Sequence, residues 1–182
     1  IELKSDPRHP DQTPDPADYA RIVVDELKKW DLLGEVWLQA FDWRVLQEIQ
    51  RLAPGACTGY LSSEHEDDAT VSDKDESPWL AGFDPCRFES SLPKAIKAAG
   101  GRFWGPAFAD TSKDRVLEAQ TLGLFVHTWT LNEDEEFGEA LNLGVNGVTS
   151  DYPDRARTVL RSAGLPVALP SHTGGQAVGA EQ

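Results

Sequence analysis

The stretch Ile1 to Lys4 places a carboxylate and an ammonium on one face of an apolar strand. Because side chains alternate along a strand, Ile1 and Leu3 share one face, and Glu2 and Lys4 share the other. A carboxylate at the carboxyl end of a strand suits a hard divalent cation, and a nearby ammonium could hold a phosphate oxygen. A buried Glu2–Lys4 ion pair explains the pattern equally well, so the spacing leaves both interpretations open.

A second stretch with chemical potential runs from Phe125 to Leu131, with the sequence FVHTWTL. Alternation predicts that its odd-numbered side chains share one face, which would line the inside of a barrel. Trp129 would then lie near the mouth as a wall for a small ligand, although plain core packing is an equal alternative. For His127 we favour a hydrogen-bonded histidine deeper in the barrel over a functional one.

Other candidates for chemistry are weaker. The acidic run Glu64 to Asp68 surrounds His65 with carboxylates, but its spacing matches no calcium loop and is typical of a solvated loop. No serine occurs in a G-x-S-x-G elbow. Cys57 and Cys86 are interpreted as separate thiols, without the flanks of a catalytic cysteine. Nucleophilic catalysis is therefore unsupported.

Six short runs rich in β-branched and aromatic residues alternate with amphipathic stretches that end on glycine. These predicted strands are IELK, EVWLQAF, CTGYLSS, GRFWGPAF, LFVHTWTL and GVNGVTSD. Strand, helix and glycine in repetition predict βαβ units on a parallel sheet, and the absence of G-x-G-x-x-G counts against a dinucleotide-binding sheet. The fold prediction is therefore an α/β, TIM-type (β/α)8 barrel, of which the chain supplies about six strand–helix units, two fewer than a complete barrel.

Local signals refine this organisation. Asp15 and Pro16 predict the start of the first helix, whose apolar face would carry Ala20, Val23, Leu27 and Trp30. We assign residues 1–165 to the barrel portion, with an acidic loop insertion at about 63–91 on the face where barrels place their sites. The glycine-rich residues 166–182 are predicted to be a disordered tail.

The composition limits the partners. With 17 basic and 31 acidic residues among 182, the net charge is −14, which disfavours nucleic acid and anionic membrane surfaces. No apolar run approaches the roughly 20 residues of a membrane span. An anionic substrate would need a local cation, and a bound metal is the obvious candidate. The oligomeric state and the compartment, cytoplasmic or periplasmic or secreted, stay open.

Taken together, the stretches IELK, VWLQAFDWRVLQEIQRLAPG, SPWLAGFD, HTWTLN and GVNGVTSDYP resemble the glycerophosphodiester phosphodiesterase family. The resemblance implies a TIM-type barrel that hydrolyses a small-molecule glycerophosphodiester to glycerol 3-phosphate and an alcohol with a divalent metal, Mg²⁺ or Ca²⁺. It further implies that Glu2 is a metal ligand, that Lys4 contacts the substrate phosphate and that Trp129 borders the pocket. Phe41 is a weaker candidate for the pocket wall. Asp151 matches a recurring aspartate, which we interpret as a helix cap.

The sequence departs from this family at its start. The family begins with a strand ending in His-Arg, a Glu-x-Asp strand and a second histidine, which supply the general acid/base pair and two metal ligands. None of these segments is present, and His127 aligns with a non-catalytic position. We therefore expect that the first part was cut away or never recorded, and we name no catalytic residue.

Two alternatives remain from the sequence. The chain could be a catalytically inactive barrel fragment or interaction module that needs a partner to cover open strand edges. It could also be another barrel enzyme, such as an aldolase, with Lys4 as the Schiff-base candidate. Glu2 beside it would keep Lys4 protonated, which argues against that chemistry.

Overall fold

The computed structural model describes residues 1–64, 69–72 and 76–167. In this part of the chain, a sheet of five strands alternates with six α-helices. The strands are β1 (Trp37–Ala40), β2 (Cys57–Ser62), β3 (Phe103–Pro106), β4 (Phe125–Thr128) and β5 (Gly147–Val148). The helices are α1 (Pro16–Lys29), α2 (Trp43–Leu52), α3 (Leu92–Ala98), α4 (Lys113–Thr121), α5 (Asp134–Leu143) and α6 (Pro153–Ser162).

All the strand pairs are parallel, and the strands lie side by side in chain order. The first residues extend the sheet beyond β1, since Leu3 N donates to Gln39 O at 2.8 Å and Gln39 N donates to Ile1 O at 2.9 Å. Each crossover between the strands carries a helix, which is the arrangement that parallel pairing requires. The predicted succession of βαβ units is therefore confirmed, and the described sheet is open.

The parallel register divides the side chains between the two faces of the sheet. One row of paired residues runs from Glu2 through Gln39, Gly59 and Phe103 to Phe125 on the inner, concave side. The alternate residues face the helices and are buried. They are Leu38, Ala40, Thr58, Tyr60, Ser62, Trp104, Val126 and Thr128.

The helical layer is fixed to the sheet by buried aromatic and polar contacts. Trp43 and Tyr60 pack edge to face with ring centroids 4.8 Å apart. The indole Nε1 of Trp43 donates to Leu61 O at 3.1 Å, and the Tyr60 hydroxyl donates to Ala99 O at 2.9 Å. Both polar tips are thereby satisfied inside an apolar layer, so these large side chains add contact area without an unpaired donor.

Helix boundaries follow the predicted signals with two exceptions. Asp15 caps α1 by accepting from Ala17 N and Asp18 N, as predicted, and Pro16 is its first residue. Trp30 was expected on the buried face of α1 but is 63% exposed, because α1 ends at Lys29. The interpretation of Asp151 as the cap of α6 is wrong. Tyr152 precedes Pro153 at that helix start, and Asp151 Oδ2 accepts from Asn132 Nδ2 instead.

The prediction for Leu131 is also wrong. Strand β4 ends at Thr128, so the strict alternation does not continue to position 131. Leu131 packs with Phe137, Ala140 and Ala156 of the outer helices, where it is fully buried. It belongs to the helix layer and not to the inner face.

No helix in the described part of the chain is long and apolar enough to cross a membrane. Of the predicted acidic insertion, residues 65–68 and 73–75 lie outside the described residues, as do residues 168–182 of the predicted tail. The domain limits at 165 and 166 therefore stay predictions. Both cysteines are free thiols, as expected.

A substitution at Gly59 tests the side-chain packing on the inner face of the sheet. A Cβ added there would lie 1.7 Å from Cζ of the buried Phe103 ring, which itself packs against Trp37. We expect Gly59→Ala to lower the free energy of unfolding by about 1–3 kcal/mol or more through overpacking. The matched variant is Gly138→Ala in α5, where an added Cβ meets nothing within 4 Å. The free energy of unfolding of this variant should rise by about 1 kcal/mol, because alanine has a higher helix propensity than glycine. Urea denaturation measures both, and equal stabilities would contradict the packing described.

Candidate active-site cavity

A cavity of about 670 Å³ opens where the inner face of the sheet meets the carboxyl ends of the strands. Phe41 follows β1, Ser63 follows β2, Ala107 follows β3 and Trp129 follows β4. This is the end of a parallel sheet where binding sites form, because the strand-to-helix loops converge there. Trp79 from the long β2–α3 connection and Arg8 from the segment before α1 also line the cavity.

Phe41 and Trp129, two residues that the sequence analysis selected, meet in this cavity. Their rings form a T-shaped contact with centroids 5.3 Å apart and an interplanar angle of 88°. Trp129 is fixed by its own strand register, since its backbone N donates to Pro106 O and its indole Nε1 donates to Gly105 O at 2.8 Å. The pair forms an aromatic corner whose polar indole tip is already used, leaving apolar ring surface for a ligand.

Trp79 is held in the cavity wall by a set of hydrogen bonds that the sequence did not reveal. Its carbonyl accepts from Trp43 N at 2.8 Å, and its N–H donates to Ser77 Oγ at 3.3 Å. The N–H of Ser77 donates at 2.7 Å to Oδ1 of Asp84, which is 1% exposed. The next residue, Leu80, is fully buried and anchors the same turn.

Arg8 lies over the ring of Trp79, with its guanidinium carbon 5.2 Å from the ring centroid. The guanidinium also makes a two-point contact with Asp6, at 3.0 Å from Nε to Oδ1 and 2.8 Å from Nη2 to Oδ2. This hydrogen-bonded pair lowers the pKa of Asp6 from 3.8 to about 2. Part of the positive charge of Arg8 is therefore balanced within its own segment.

Two carboxylates, Asp110 and Glu136, also line the cavity. Asp110 is buried and accepts from Glu64 N through Oδ2 at 2.8 Å. Arg115 supports this corner by donating to Asp110 O and pairing with Glu64 Oε1 at 2.5 Å. Glu136 Oε2 accepts the backbone N–H groups that precede α5, so it also stabilises the helix start.

Glu2 and Lys4 lie together on the inner face but are not among the described residues lining the cavity. Lys4 Nζ is 3.6 Å from Glu2 Oε1, and the Lys4 side chain is 82% exposed. Backbone pairing places Glu2 beside Gln39, two residues before Phe41 in the neighbouring strand. An ion pair is thus present, but it is not the buried pair that the spacing allowed, and at this distance and exposure it contributes little to stability.

The described residues do not by themselves complete a metal centre. Among them, no group of three or more His, Cys, Asp or Glu side chains could hold an ion. Divalent cations such as Mg²⁺ and Ca²⁺ need about six oxygen ligands or more, some of which can be water. The role of Glu2 as a metal ligand therefore stays a prediction, and the described residues form no complete metal site.

His127 lies deeper on the inner face, away from the cavity mouth. Its Nε2 is 2.9 Å from Thr149 Oγ1, and burial lowers the pKa of the imidazole. The hydroxyl partner agrees with the expected hydrogen-bonded histidine, but the side chain is only half-buried. Of the acidic run, Glu64 is described in its ion pair with Arg115, whereas 65–68 fall outside the described ranges.

Trp79, Arg8 and Asp110 are cavity residues that were not predicted from the sequence. Each lies in a connection, where no periodicity assigns a side chain to a face. The only available signal was the SPWLAGFD stretch, in which an aromatic residue stands between turn-forming residues. Trp79 therefore lies in a stretch that carries the family resemblance, but it was not predicted to be a site residue.

The Asp6–Arg8 pair predicts a titration that can be checked by ¹³C NMR of the Asp6 carboxyl group. With its pKa near 2, Asp6 should remain ionised at pH 3. The lowered pKa contributes stability that is present above the unfolded value near 3.8 and is lost as pH falls through about 2. In Arg8→Gln the midpoint should return towards 3.8, whereas Arg21→Gln, which removes the partner of Asp18, should not change it. An unchanged midpoint in Arg8→Gln would contradict the pairing.

The sequence matches a known family of proteins. The model of the glycerophosphoryl diester phosphodiesterase family matches residues 1–155. A glycerophosphodiester phosphodiesterase of Bacillus subtilis (strain 168) is 25% identical over 138 residues, or 72% of this chain and 41% of that protein. This chain therefore spans less than half of the length of that protein.

Solved structures show the same fold. One from Silicibacter pomeroyi DSS-3, assigned to the glycerophosphoryl diester phosphodiesterases, is 34% identical with a TM-score of 0.72. The match covers 92% of this chain and 51% of that one. A phosphodiesterase of Oleispira antarctica, in complex with the product sn-glycerol-3-phosphate, has a TM-score of 0.61 at 18% identity, over 88% of this chain and 53% of that one.

These neighbours are TIM barrels, and the predicted α/β barrel class is confirmed, with the described strands forming an open part of it. The chain spans about half the length of the solved structures that it matches. Because the family model covers most of its residues, the chain belongs to the glycerophosphoryl diester phosphodiesterase family.

Proposed function

We propose that the protein of which this sequence forms at least a part hydrolyses glycerophosphodiesters to glycerol 3-phosphate and an alcohol, assisted by Mg²⁺ or Ca²⁺. The observation that carries the proposal is the Phe41–Trp129 corner in the cavity at the carboxyl ends of the strands. An apolar corner of this size suits the carbon skeleton of glycerol, while the phosphate would point to the charged groups. The sn-glycerol-3-phosphate held by the Oleispira antarctica phosphodiesterase supports this ligand class.

Each candidate site residue would have a separate role in the hydrolysis. A phosphodiester is anionic, so hydrolysis requires charge neutralisation, a positioned nucleophile and protonation of the leaving oxygen. Glu2 would supply one ligand to the cation, which supplies charge neutralisation when bound. Lys4, whose side chain is largely exposed beside Glu2, would contact the phosphate. Phe41 and Trp129 would orient the glycerol part and exclude water from one side of it.

The histidine pair that the family resemblance implies for general acid/base catalysis is not found among the described residues of the cavity, whose titratable carboxyl groups are Asp110 and Glu136. Among the cavity-lining residues that the structure describes there is no histidine, and His127 is used by Thr149. Loss of proton transfer alone costs on the order of 10² to 10⁴ in rate. A second candidate function is a binding module that holds a glycerophosphodiester or its product without hydrolysing it, since the preorganised Phe41–Trp129 corner would serve either function.

The first experiment separates binding from hydrolysis. The protein that contains this sequence is titrated with sn-glycerol 3-phosphate by calorimetry, and glycerol 3-phosphate release from glycerophosphodiesters is followed with Mg²⁺, Ca²⁺ or a chelator. Metal-dependent release supports the enzyme. Binding without release supports the module. Neither binding nor release would overturn both.

The aromatic corner gives a mutational test of the same site. Trp129→Ala should weaken binding of glycerol 3-phosphate about 3- to 10-fold, because an aromatic contact contributes about 0.5–1.5 kcal/mol beyond area burial. The control is Trp30→Ala on α1, a largely exposed tryptophan outside the cavity, which should leave the affinity unchanged. Equal effects of the two substitutions would remove Trp129 from the site.

The role of Glu2 is tested by metal binding itself. Glu2→Gln should weaken binding of Ca²⁺ or Mn²⁺ by about tenfold or more, since a neutral amide replaces a charged ligand. Glu48→Gln on α2, which removes a surface carboxylate paired with Arg51, is the matched control. Calorimetry on both variants measures the difference. Indistinguishable metal affinities would rule Glu2 out as a ligand.

A further inference from the structure

One buried carboxylate joins the two groups of candidate site residues. Asp42 directly follows Phe41 of the aromatic corner in the chain, and its side chain is fully buried. Its Oδ2 accepts from Ser5 Oγ at 3.0 Å, and Ser5 follows Lys4, the candidate contact for the phosphate. The two hydrogen-bonded residues are 37 positions apart in the sequence. The Ser5–Asp42 bond therefore connects the segment that carries the charged pair to the end of β1.

Asp42 also has a local role at the start of helix α2. Its Oδ1 accepts from Arg44 N at 3.1 Å, as is typical of a helix cap. The guanidinium of Arg44 donates to both oxygens, at 2.9 Å from Nε and at 2.8 Å from Nη2. These charge-assisted bonds fix the carboxylate in one orientation. One oxygen is sufficient for a cap, so the cap does not explain the bond from Ser5 to the second oxygen.

The start of α2 is itself held by buried contacts to other parts of the cavity. Trp43 is fully buried, and its backbone N–H donates to Trp79 O at 2.8 Å. Its indole Nε1 donates to Leu61 O of β2 at 3.1 Å. The residues around Asp42 are thus fixed relative to both β2 and the β2–α3 connection. A carboxylate in such a place can hold a neighbouring segment at a defined distance from the cavity.

The segment that Asp42 holds leaves the sheet at Lys4. Its backbone pairing with β1 runs from Ile1 to Leu3. Lys4 lies one residue beyond this pairing, and its side chain is largely exposed. Ser5 is then the next residue at which the segment is bound to the end of β1, through Asp42. Loss of the Ser5–Asp42 bond would therefore let the backbone at Lys4 move relative to the aromatic corner.

We propose that Asp42 is a positioning residue, which sets the distance between Lys4 and the aromatic corner and acts through Ser5. This inference rests on the proposed function, in which the corner binds the glycerol part and Lys4 contacts the phosphate. The two parts of one ligand strengthen each other's binding only where their two sites are correctly spaced. The Ser5–Asp42 bond should therefore affect the linked ligand and neither of its parts alone.

The test compares glycerol 3-phosphate with glycerol and with inorganic phosphate, in the protein that contains this sequence. Ser5→Ala is the variant of choice, because it removes the bond to Asp42 and keeps the α2 cap and the Arg44 pair. NMR titration should show glycerol 3-phosphate binding about 3- to 10-fold weaker, as for the loss of one hydrogen bond, with unchanged affinities for glycerol and for phosphate. Unchanged affinity for glycerol 3-phosphate, or an equal loss for all three ligands, would overturn the proposal.

Further variants separate positioning from stability. Ser91→Ala removes a comparable serine–carboxylate bond, 2.8 Å from Oγ to Glu118 Oε1 in the helix layer, and should leave all three affinities unchanged. Ser5→Thr keeps the hydroxyl group and should keep the affinity for glycerol 3-phosphate. A loss in Ser91→Ala as large as that in Ser5→Ala would show a general effect of stability and contradict the assignment, as would an equal loss in Ser5→Thr.

Hydrogen exchange measures the Ser5–Asp42 bond without any ligand, so the two proposals fail in different ways. The Leu3 amide donates to Gln39 O, and Ser5→Ala should speed its exchange about 3- to 10-fold through local opening, whereas Ser91→Ala should not. Unchanged exchange in Ser5→Ala would overturn the positioning role, even where the parent protein hydrolyses glycerophosphodiesters. Faster exchange in a parent protein that does not bind glycerol 3-phosphate would overturn the proposed function, and Asp42 would then be a structural anchor only.

Discussion

The parallel register of the sheet is the constraint on which the remaining structure depends. Pairing of Gln39 with Gly59 and of Gly59 with Phe103 fixes which side chains reach the inner face. A shift by one residue would exchange the inner and outer faces. The Phe103 ring occupies the space that Gly59 leaves open, so the register is also selected by packing. The cavity exists because this register brings the ends of four strands to one side.

The elements that sequence reasoning found are those in which a repeated local rule operates. Alternation places Val126 and Thr128 against the helices, and the cap at Asp15 starts α1. The rule failed for Leu131, where the strand had already ended, and for Trp79, where the connection has no period. Trp79 is placed by hydrogen bonds to Trp43 and through Ser77 to Asp84, contacts that no local pattern encodes.

Part of the inner face is aromatic surface that is exposed to solvent. Trp37 and Phe125 are 47% and 51% exposed, although they pack with each other and lie on the face that a closed barrel would bury. A second cavity of about 830 Å³ lies beside them, between β5 and α6. Exposed aromatic surface of this kind is costly in water. The exposed rings of Trp37 and Phe125 therefore favour any state in which this face is covered.

The two groups of candidate site residues are held in place by different interactions. Phe41 and Trp129 are placed by the register and packed against each other, so their geometry follows from the described sheet alone. Glu2 and Lys4 are held by a single backbone bridge and a 3.6 Å ion pair, with the lysine side chain largely in solvent. The aromatic surface is thus preorganised, whereas under the proposed function the charged pair would gain a defined geometry from a ligand that engages both groups. A cation on Glu2 and a phosphate on Lys4 would do so together, because each would replace the attraction that the other group now provides.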